Sequence, residues 1–305
     1  MPAEATGKTV ELLVALKAVP PFAGLPPEDL ALLVEHATPR EFGPGEIVIA
    51  RGSTVEAIHV VVDGTLVEER GGQPWGVREP YEIVGGVDAL AGSSTELEVR
   101  AKVRTRTLEM ERETLLEICY DRFDVLNAIV TGVAGMAIAA RLRLGAAAGF
   151  GGPAGFGTEP PPARLDLAER LAFMRSMPVL HDVAMLTLAE VAARCERVTF
   201  AQGETLWRTG DRADHLLIVV SGAVDCAAGD GLRFAFGPRE AAGVLDALAV
   251  VPRWYDATAR TRVVALRTRV ADVLDVLEDD PATAVAGMTH LARATSHLVS
   301  LVSAA

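Results

Sequence analysis

The chain lacks the excess of positive charge that is typical of proteins binding nucleic acid. Its 305 residues include 29 lysines and arginines against 41 aspartates and glutamates, which gives a formal net charge of −12. Neutralising a phosphate backbone requires a basic face, so we expect no general binding of DNA or RNA. Only three of the basic residues are lysine, a bias that is typical of a GC-rich bacterial genome.

Long hydrophobic runs and paired cysteines are also lacking. Glu11 and Lys17 interrupt the apolar stretch near the N-terminus, which is not the pattern of a signal peptide. No run of about 18 uncharged apolar residues follows, so we expect no membrane-spanning helix. Cys119, Cys195 and Cys226 show no C-x-x-C spacing and predict reduced, structural thiols in a cytoplasmic protein.

Sequence motifs of common catalytic and metal sites are missing as well. The chain contains neither H-E-x-x-H nor G-x-S-x-G. Gly7, Lys8 and Thr9 resemble the end of a phosphate-binding P-loop, but the glycine that should precede them falls at Pro2 and no strand comes before it. We therefore expect no enzymatic activity and no metal site.

What the sequence does contain is an internal repeat with a constant spacing of 158 residues. The stretch FGPGEIVIARG, from Phe42 to Gly52, returns as FAQGETLWRTG from Phe200 to Gly210. The same spacing joins Gly64 to Gly222, and a D-A-L-A stretch recurs at that offset without any insertion. This regularity predicts a duplicated domain.

A segment rich in glycine and proline separates the two copies. Between Gly145 and Ala163, six of 19 residues are glycine and four are proline, a composition typical of linkers. We therefore place the first domain at residues 1–146, the linker at 147–163 and the second domain at 164–305.

Within each copy, a helical pattern is followed by short β segments and a closing helix. The first helical pattern occupies residues 26–36, and its counterpart begins at Met185. Apolar segments such as AIHVVVDG and HLLIVVSG follow, separated by glycines or polar turns every 8–12 residues or so, which is typical of a closed β structure. Closing helices are predicted near residues 125–144 and 282–302.

This order of elements resembles the cyclic-nucleotide-binding domain of the cAMP receptor protein-like family. The resemblance covers about residues 16–144 and 171–302. It depends on the two F-x-x-G-E segments and the glycines after them, namely Phe42, Gly45, Glu46, Gly52 and Gly64, and again Phe200, Gly203, Glu204, Gly210 and Gly222. It implies a mainly β fold with flanking helices, built as two tandem β-rolls of the double-stranded β-helix or jelly-roll type. The glycines are expected to shape turns of the roll.

The resemblance also implies a phosphate-binding cassette, in which a Gly-Glu pair precedes Ala-Leu and an arginine follows. In the family, the glutamate accepts a hydrogen bond from the ribose hydroxyl and the arginine binds the cyclic phosphate. The corresponding residues here are Gly86, Val87, Asp88, Ala89 and Thr95 in the first copy, and Gly243, Leu245, Asp246, Ala247 and Arg253 in the second. Neither copy has the glutamate and the first has no arginine, which predicts degenerate ligand pockets.

The missing polar contacts have an energetic consequence. A hydrogen bond to a charged group contributes roughly 1.5–3 kcal/mol, so losing two of them weakens binding by on the order of a hundredfold or more. We expect the first copy to bind neither cAMP nor cGMP. In the second copy two interpretations of Arg253 stay open, a displaced phosphate ligand or a loop arginine, and Asp88 and Asp246 could be displaced replacements for the glutamate.

Two further patterns could serve contact with another protein. Cations alternate with apolar residues after Val99, and on a strand this places four of them on one face: Arg100, Lys102, Arg104 and Arg106. That face is either solvated or a docking stripe for an acidic partner.

The second pattern is a narrow seam on the last helix, with residues spaced three and four apart. It consists of Val285, Met288, Ala292, Thr295, Val299 and Val302. The seam packs either on the chain's own β-roll or on a second copy of the chain, forming a homodimer.

Together these observations predict a non-enzymatic, cytoplasmic regulatory protein that acts through contact with an unidentified partner protein and requires no cofactor. The alternative is a sensor of cAMP or cGMP with an atypical site in the second domain. Because the second copy runs to within a few residues of Ala305, no DNA-binding domain is expected after it. DNA and membranes are not expected as partners.

Overall fold

The computed structural model describes residues 2–145 and 165–302, which form two compact units. Unit 1 comprises Met1–Val133 and Val285–Ser300, and unit 2 comprises Ala134–Ala284 and Leu301–Ala305. Each unit therefore combines the strands of one copy of the repeat with a helical segment from the other copy. The linker expected at 147–163 lies outside the described residues, so the domain boundaries stay a prediction.

Two helices precede the strands of unit 1. Helix α1 spans Pro2–Ala18 and α2 spans Pro27–His36. A proline at the first helical position leaves no hydrogen bond unmade, because that N–H has no partner within the helix. Leu30 and Leu33 of α2 are buried in the core, which confirms the predicted helix. Helix α1 was not predicted, since its apolar residues show only weak helical periodicity.

Short strands follow α2 and form two four-stranded antiparallel sheets. They are β1 (Thr38–Phe42), β2 (Ile47–Ile49), β3 (Ala57–Asp63), β4 (Leu66–Arg70), β5 (Gln73–Arg78), β6 (Ile83–Val84), β7 (Glu98–Ala101) and β8 (Thr105–Glu111). One sheet has the order β1-β8-β3-β6 and the other β2-β7-β4-β5. The chain therefore passes repeatedly between the sheets, as it does in a jelly roll.

Unit 2 repeats this topology. It contains α6 and α7 followed by β9 to β16, whose bounds are α6 (Leu167–Arg175), α7 (Met185–Arg194), β9 (Glu196–Phe200), β10 (Thr205–Trp207), β11 (His215–Ser221), β12 (Val224–Ala228), β13 (Arg233–Phe236), β14 (Ala241–Ala242), β15 (Tyr255–Ala259) and β16 (Val263–Arg269). Its sheets have the orders β9-β16-β11-β14 and β10-β15-β12-β13. The identical strand order confirms a fold of two tandem jelly-roll domains.

Helices complete each copy. A short helix interrupts the strands, at α3 (Gly86–Ala91) and α8 (Val244–Leu248), and two helices follow them, at α4 (Arg112–Asp121), α5 (Phe123–Leu144), α9 (Val270–Glu278) and α10 (Pro281–Val302). The predicted closing helices are confirmed by α5 and α10, which contain 22 residues each. Among the described residues, α5 is the one helix long and apolar enough to cross a membrane by length and composition, and half of its apolar window is buried within the protein.

Four of the six residues of the apolar seam of α10 are buried within the chain, and Val299 and Val302 are partly exposed. Val285, Met288, Ala292 and Thr295 each expose 5% of their surface or less, and the segment from 285 to 300 belongs to unit 1. This burial favours packing of the seam inside the chain over packing on a second copy. The homodimer itself stays a prediction.

The expectation of a basic strand face is wrong. Strand β7 ends at Ala101 and β8 begins at Thr105, so Lys102 and Arg104 lie in the turn between the two strands. The alternation of faces along a strand does not continue through a turn.

Carboxylates also neutralise most of this charge. The three arginines of the stripe form ion pairs with different acids, Arg100 with Glu98 at 2.6 Å, Arg104 with Glu41 at 2.6 Å and Arg106 with Glu11 at 2.8 Å. A stripe whose arginines are paired in this way presents little net charge to an acidic partner.

Two turn glycines, Gly222 and Gly203, allow a test of the roll's geometry. Both have positive φ, 86° and 82° respectively. A Cβ at Gly222 would overlap with the carbonyl oxygen of Arg262, whereas a Cβ at Gly203 would meet no atom within 4 Å. We expect Gly222→Ala to lower the free energy of unfolding by about 3 kcal/mol or more and Gly203→Ala by about 1 kcal/mol, because only the first adds a clash to the backbone strain. Urea denaturation measures both, and equal losses would contradict the close approach.

Candidate functional site

The second cassette begins at Gly243, whose backbone is left-handed. Gly243 follows β14, has φ 79° and directly precedes α8. A Cβ at this position would overlap with the guanidinium of Arg253. Glycine is thus required here both by the backbone conformation and by the space that Arg253 occupies.

The corresponding glycine in the first copy is Gly85, with φ 74° directly before α3. The residue after the left-handed glycine is Gly86 in the first copy and Val244 in the second. Each lies one position before Val87 and Leu245, which the sequence pattern assigned to the glutamate. None of these four residues has a side chain that can accept a hydrogen bond.

Arg253 is buried and fully engaged at its two terminal nitrogens. It exposes 1% of its surface, as does Asp246. Its Nη1 donates to Asp246 Oδ2 and to the carbonyl oxygen of Gly243, both at 3.0 Å, and its Nη2 donates to the carbonyl oxygen of His215 at 2.5 Å. Arg253 thus lies in the loop before β15, as one of the two interpretations had it, and its side chain is buried and paired there.

The backbone of Arg253 is held by the glycine turn that first marked the repeat. Gly210 donates its N–H to the Arg253 carbonyl at 2.8 Å, and Arg253 donates its own N–H to the carbonyl of Asp211 at 2.8 Å. In the first copy Gly52 makes the same bond to Thr95, also at 2.8 Å. The two cassettes thus share a backbone arrangement and differ in the side chain that it carries.

The guanidinium of Arg253 lies against one member of a cluster of aromatic rings. Its central carbon lies 4.2 Å from the centre of the Trp207 ring, within the range of a cation–π interaction. Trp207 contacts Tyr255 edge-on with 5.6 Å between ring centres, and Trp254 contacts Tyr255 at 4.8 Å. Phe234 stacks on Trp254 at 5.4 Å. The rings keep water from the buried charge and strengthen its attraction to a negative partner.

A second arginine lies close to this aromatic cluster. Arg141, near the end of α5 and within unit 2, interacts electrostatically with Tyr255. Burial lowers the pKa of Arg141 and raises the pKa of Tyr255 well above its usual value, which keeps the phenol protonated. The Tyr255 hydroxyl accepts a hydrogen bond from the Gly243 N–H at 3.0 Å.

Three buried N–H groups of this region have no hydrogen-bond acceptor in the described part of the chain. They are Nε of Arg253 and the ring Nε1 of Trp207 and of Trp254. Leaving a buried donor unsatisfied costs about 1–3 kcal/mol. These three groups are therefore unused hydrogen-bond donors of the region among the described residues.

The first cassette has a different arrangement. Thr95 replaces the arginine, is buried, and accepts a hydrogen bond from the N–H of Leu97 at its hydroxyl, at 3.1 Å. Asp88, the counterpart of Asp246, accepts a hydrogen bond from the hydroxyl of Ser296 at 2.6 Å. No arginine side chain is shown to contact Asp88 among the hydrogen bonds and ion pairs of the described residues.

The structure brings together Gly243, Asp246 and Arg253 of the residues proposed for the second cassette. Ala247 instead packs in the hydrophobic core and Leu245 is partly exposed. Ala89 is buried in the first copy, while Gly86 and Val87 are partly exposed.

Sequence reasoning missed Trp207, Tyr255 and Arg141. Tyr255 lies two residues after Arg253, and Trp207 belongs to the same repeated segment as Gly210, so proximity in the repeat could have indicated both. No local signal connects Arg141 with the second cassette.

The buried pair predicts an asymmetric response to mutation. Arg253→Ala leaves the Asp246 charge without its partner in the core, and we expect it to lower the free energy of unfolding by about 3–5 kcal/mol. Arg267→Ala removes an exposed pair with Glu196, whose side chains are 44% and 64% exposed, and should cost less than about 1 kcal/mol. Urea denaturation compares the two.

A double variant separates loss of charge balance from loss of packing. Removing both charges, with Arg253→Ala and Asp246→Ala together, should recover part of the stability that the single change loses. A single Arg253→Ala variant as stable as Arg267→Ala would contradict the buried pair.

Comparison with known proteins identifies the domain type. The model of the cyclic nucleotide-binding domain family matches residues 197–280. The N-terminal domain of a transcriptional regulator from Streptomyces coelicolor A3(2) is 31% identical, over 40% of this chain and 90% of that chain, with a TM-score of 0.36. No match was found among curated proteins.

Two-domain and single-domain structures are both similar to this chain. The regulatory subunit of a cAMP-independent protein kinase A from Trypanosoma brucei is 19% identical over 89% of this chain and 88% of that chain, with a TM-score of 0.35. The sensor domain of the transcriptional regulator DNR from Pseudomonas aeruginosa is 18% identical over 39% of this chain and 84% of that chain, with a TM-score of 0.36.

The cassette from Gly243 to Arg253 lies within the matched segment, and β1 to β8 repeat the strand order of that segment. Residues 197–280 therefore form a cyclic nucleotide-binding domain, and the strands of the first copy have the same order.

Proposed function

We propose that this chain is a non-enzymatic regulatory protein that works through contact with another protein, and that its own side chains take the place of a cyclic nucleotide. The observation that carries the proposal is the ion pair of Arg253 with Asp246 at 3.0 Å, with side chains 0% and 1% exposed. In the family that the sequence resembles, the arginine at the position of Arg253 binds the cyclic phosphate.

The carboxylate of Asp246 satisfies Arg253 in the way a bound anion would. Both groups carry one unit of negative charge and present oxygen acceptors to a guanidinium. A cyclic phosphate could reach Arg253 only by displacing Asp246, and the displaced carboxylate would stay nearby and repel it. Leu245, which the resemblance places at the glutamate position, cannot compensate by binding the ribose.

The first domain is even less suited to an anion. Besides Thr95, its roll contains Glu68, which is 5% exposed and accepts two hydrogen bonds from Arg78, at 3.1 and 2.9 Å. Its counterpart in the second copy is Cys226, which lies in the apolar and aromatic core of that roll. A buried, paired carboxylate inside the roll adds no attraction for a phosphate.

Exposed apolar residues support the contact with another protein. Met185 and Leu186, at the start of α7, are 57% and 72% exposed, and Val179 in the preceding turn is 49% exposed. Exposed apolar side chains close together are typical of protein contact surfaces. The cytoplasmic location is part of the same proposal and is supported by three free, buried cysteines.

Calorimetry on the full chain tests the absence of a nucleotide site. We expect titration of the wild-type protein with cAMP or cGMP to give affinity weaker than about 1 mM, because the arginine is already neutralised and the glutamate is missing. Binding of either nucleotide with a dissociation constant in the micromolar range would refute the proposal.

Removing the carboxylate of Asp246 should restore binding of a cyclic nucleotide at Arg253. We expect Asp246→Ala to bind cAMP at least about tenfold more tightly than the wild type, since Arg253 then has a free position for a phosphate. The matched control is Asp225→Ala, which removes an exposed acid of the neighbouring strand (49% exposed). An increase in melting temperature on adding cAMP gives the same readout if Asp246→Ala is too unstable for calorimetry.

A second candidate function is a cyclic-nucleotide sensor in unit 2. It is favoured by the buried N–H groups of Arg253, Trp207 and Trp254 that have no acceptor among the described residues. In that case the wild type binds nucleotide, and Arg253→Ala loses roughly 1.5–3 kcal/mol of binding free energy. The wild-type titration therefore decides between the two functions.

A further inference from the structure

The last helix makes polar contacts with the first cassette inside unit 1. Arg293 Nε donates to the carbonyl oxygen of Ala91 at 3.1 Å, and Ser296 Oγ donates to Asp88 Oδ1 at 2.6 Å. Ala91 and Asp88 both belong to α3, the short helix of the cassette. The cassette helix is thus bound at its side and at its C-terminal end.

A third contact continues the same face of α10. Arg70, at the end of β4, donates its Nη1 to the carbonyl oxygen of Ser300 at 3.2 Å. Arg293, Ser296 and Ser300 are spaced three and four residues apart, so they follow one another along one side of a helix. The contacts therefore extend over two turns of α10.

Two of these bonds are charge-assisted and match the polarity of the groups they join. The hydroxyl of Ser296 donates to a carboxylate oxygen, and hydrogen bonds to carboxylates are short and strong. The guanidinium of Arg293 lies at the C-terminal end of α3, where the helix dipole favours a cation. Arg112 donates to the preceding carbonyl of Ala89 at 2.8 Å, so two arginines bind the end of this helix.

The apolar side of the same segment is buried. Met288, Ala292 and Thr295 are exposed by 1% or less. The segment Val285–Ser300 therefore belongs to unit 1 through apolar burial as well as through directed polar contacts.

Comparison of the two copies explains why the first cassette can bind a helix. Asp246 pairs with Arg253 in the second copy. In the first copy Thr95 occupies the position of that arginine, so the counterpart Asp88 has no such partner. Asp88 is consequently available to accept from Ser296. The position of the aspartate is the same in both copies, and the absence of the arginine changes its partner.

We propose that the first cassette is a docking site for a helical peptide, and that its occupant is Val285–Ser300 of the same chain. The features it recognises are an arginine and a serine three residues apart, beside an apolar stripe. The inference builds on the proposed function in one respect, that this cassette takes no nucleotide. Because α10 is the closing helix of the second copy, docking makes unit 1 dependent on a segment of that copy.

Amide hydrogen exchange of the full chain tests the docking. We expect Ser296→Ala to increase exchange about tenfold at residues 86–92 and 293–300 together, because loss of the bond to Asp88 frees both sides of the contact. The matched control is Ser300→Ala, which keeps the main-chain carbonyl that Arg70 binds. Its hydroxyl donates to the carbonyl of His297 on the same helix, at 2.7 Å, so exchange at 86–92 should not change. Unchanged exchange at 86–92 in Ser296→Ala would overturn the docking site.

A binding experiment tests recognition directly. A fluorescent peptide of residues 285–302 should bind the full chain carrying Arg293→Gln and Ser296→Ala about tenfold more tightly than the wild type, whose site is occupied by its own helix. Adding Asp88→Lys to the double variant should abolish the gain. Equal peptide binding by all three chains would contradict the proposal.

The outcome is independent of the nucleotide titration. Neither experiment contains cAMP or cGMP, so a nucleotide site in the wild type would overturn the proposed function and leave the peptide result unaffected. Conversely, a peptide that binds none of the chains would overturn the docking site alone.

Discussion

A guanidinium cannot remain in an apolar interior without a negative charge beside it, and this requirement determines the second domain. Moving an ion of this kind out of water costs several kcal/mol even after relaxation, so Arg253 needs both Asp246 and the carbonyl oxygens that surround it. Gly243 has to be glycine because the guanidinium occupies the space above it. Trp207 covers the charge on another side. The contacts of Gly243, Asp246 and Trp207 in this cassette all involve one buried cation.

The first domain shows what happens when the cation is removed and the backbone is kept. Gly52 still holds the carbonyl of Thr95 as Gly210 holds that of Arg253, so the loop has the same course. Without the arginine, the aspartate of the cassette turns to a hydroxyl on another helix. The equivalent aspartates of the two copies thus have different partners. Asp246 pairs with Arg253, whereas Asp88 accepts a hydrogen bond from Ser296.

The sequence predicted the repeated architecture well because strands, turns and glycines depend on local chemistry and on a fixed offset. The turn glycines have the positive φ angles that their pattern indicated, and the closing helices lie where they were expected. The candidate site was predicted less well. The pairing of Arg253 with Asp246 requires knowing that a short helix and the following loop fold back on one another, which no local pattern shows.

Two aspects could not be read from local sequence at all. Arg141 reaches the second cassette from the helix that closes the first copy, and apolar periodicity cannot tell which core a helix enters. The basic stripe failed for a related reason, since alternation predicts a face only as long as the strand continues, and β7 ends at Ala101.

The composition of the two units has a genetic consequence. Unit 1 includes Val285–Ser300, and unit 2 includes the part of α5 that begins at Ala134. A fragment ending before residue 285 would lack part of the first unit, and one beginning at the second copy would lack part of the second. After duplication, loss or recombination of one copy alone would leave both cores incomplete. Neither copy can therefore be lost without damage to the other, and selection acts on both as a single gene product.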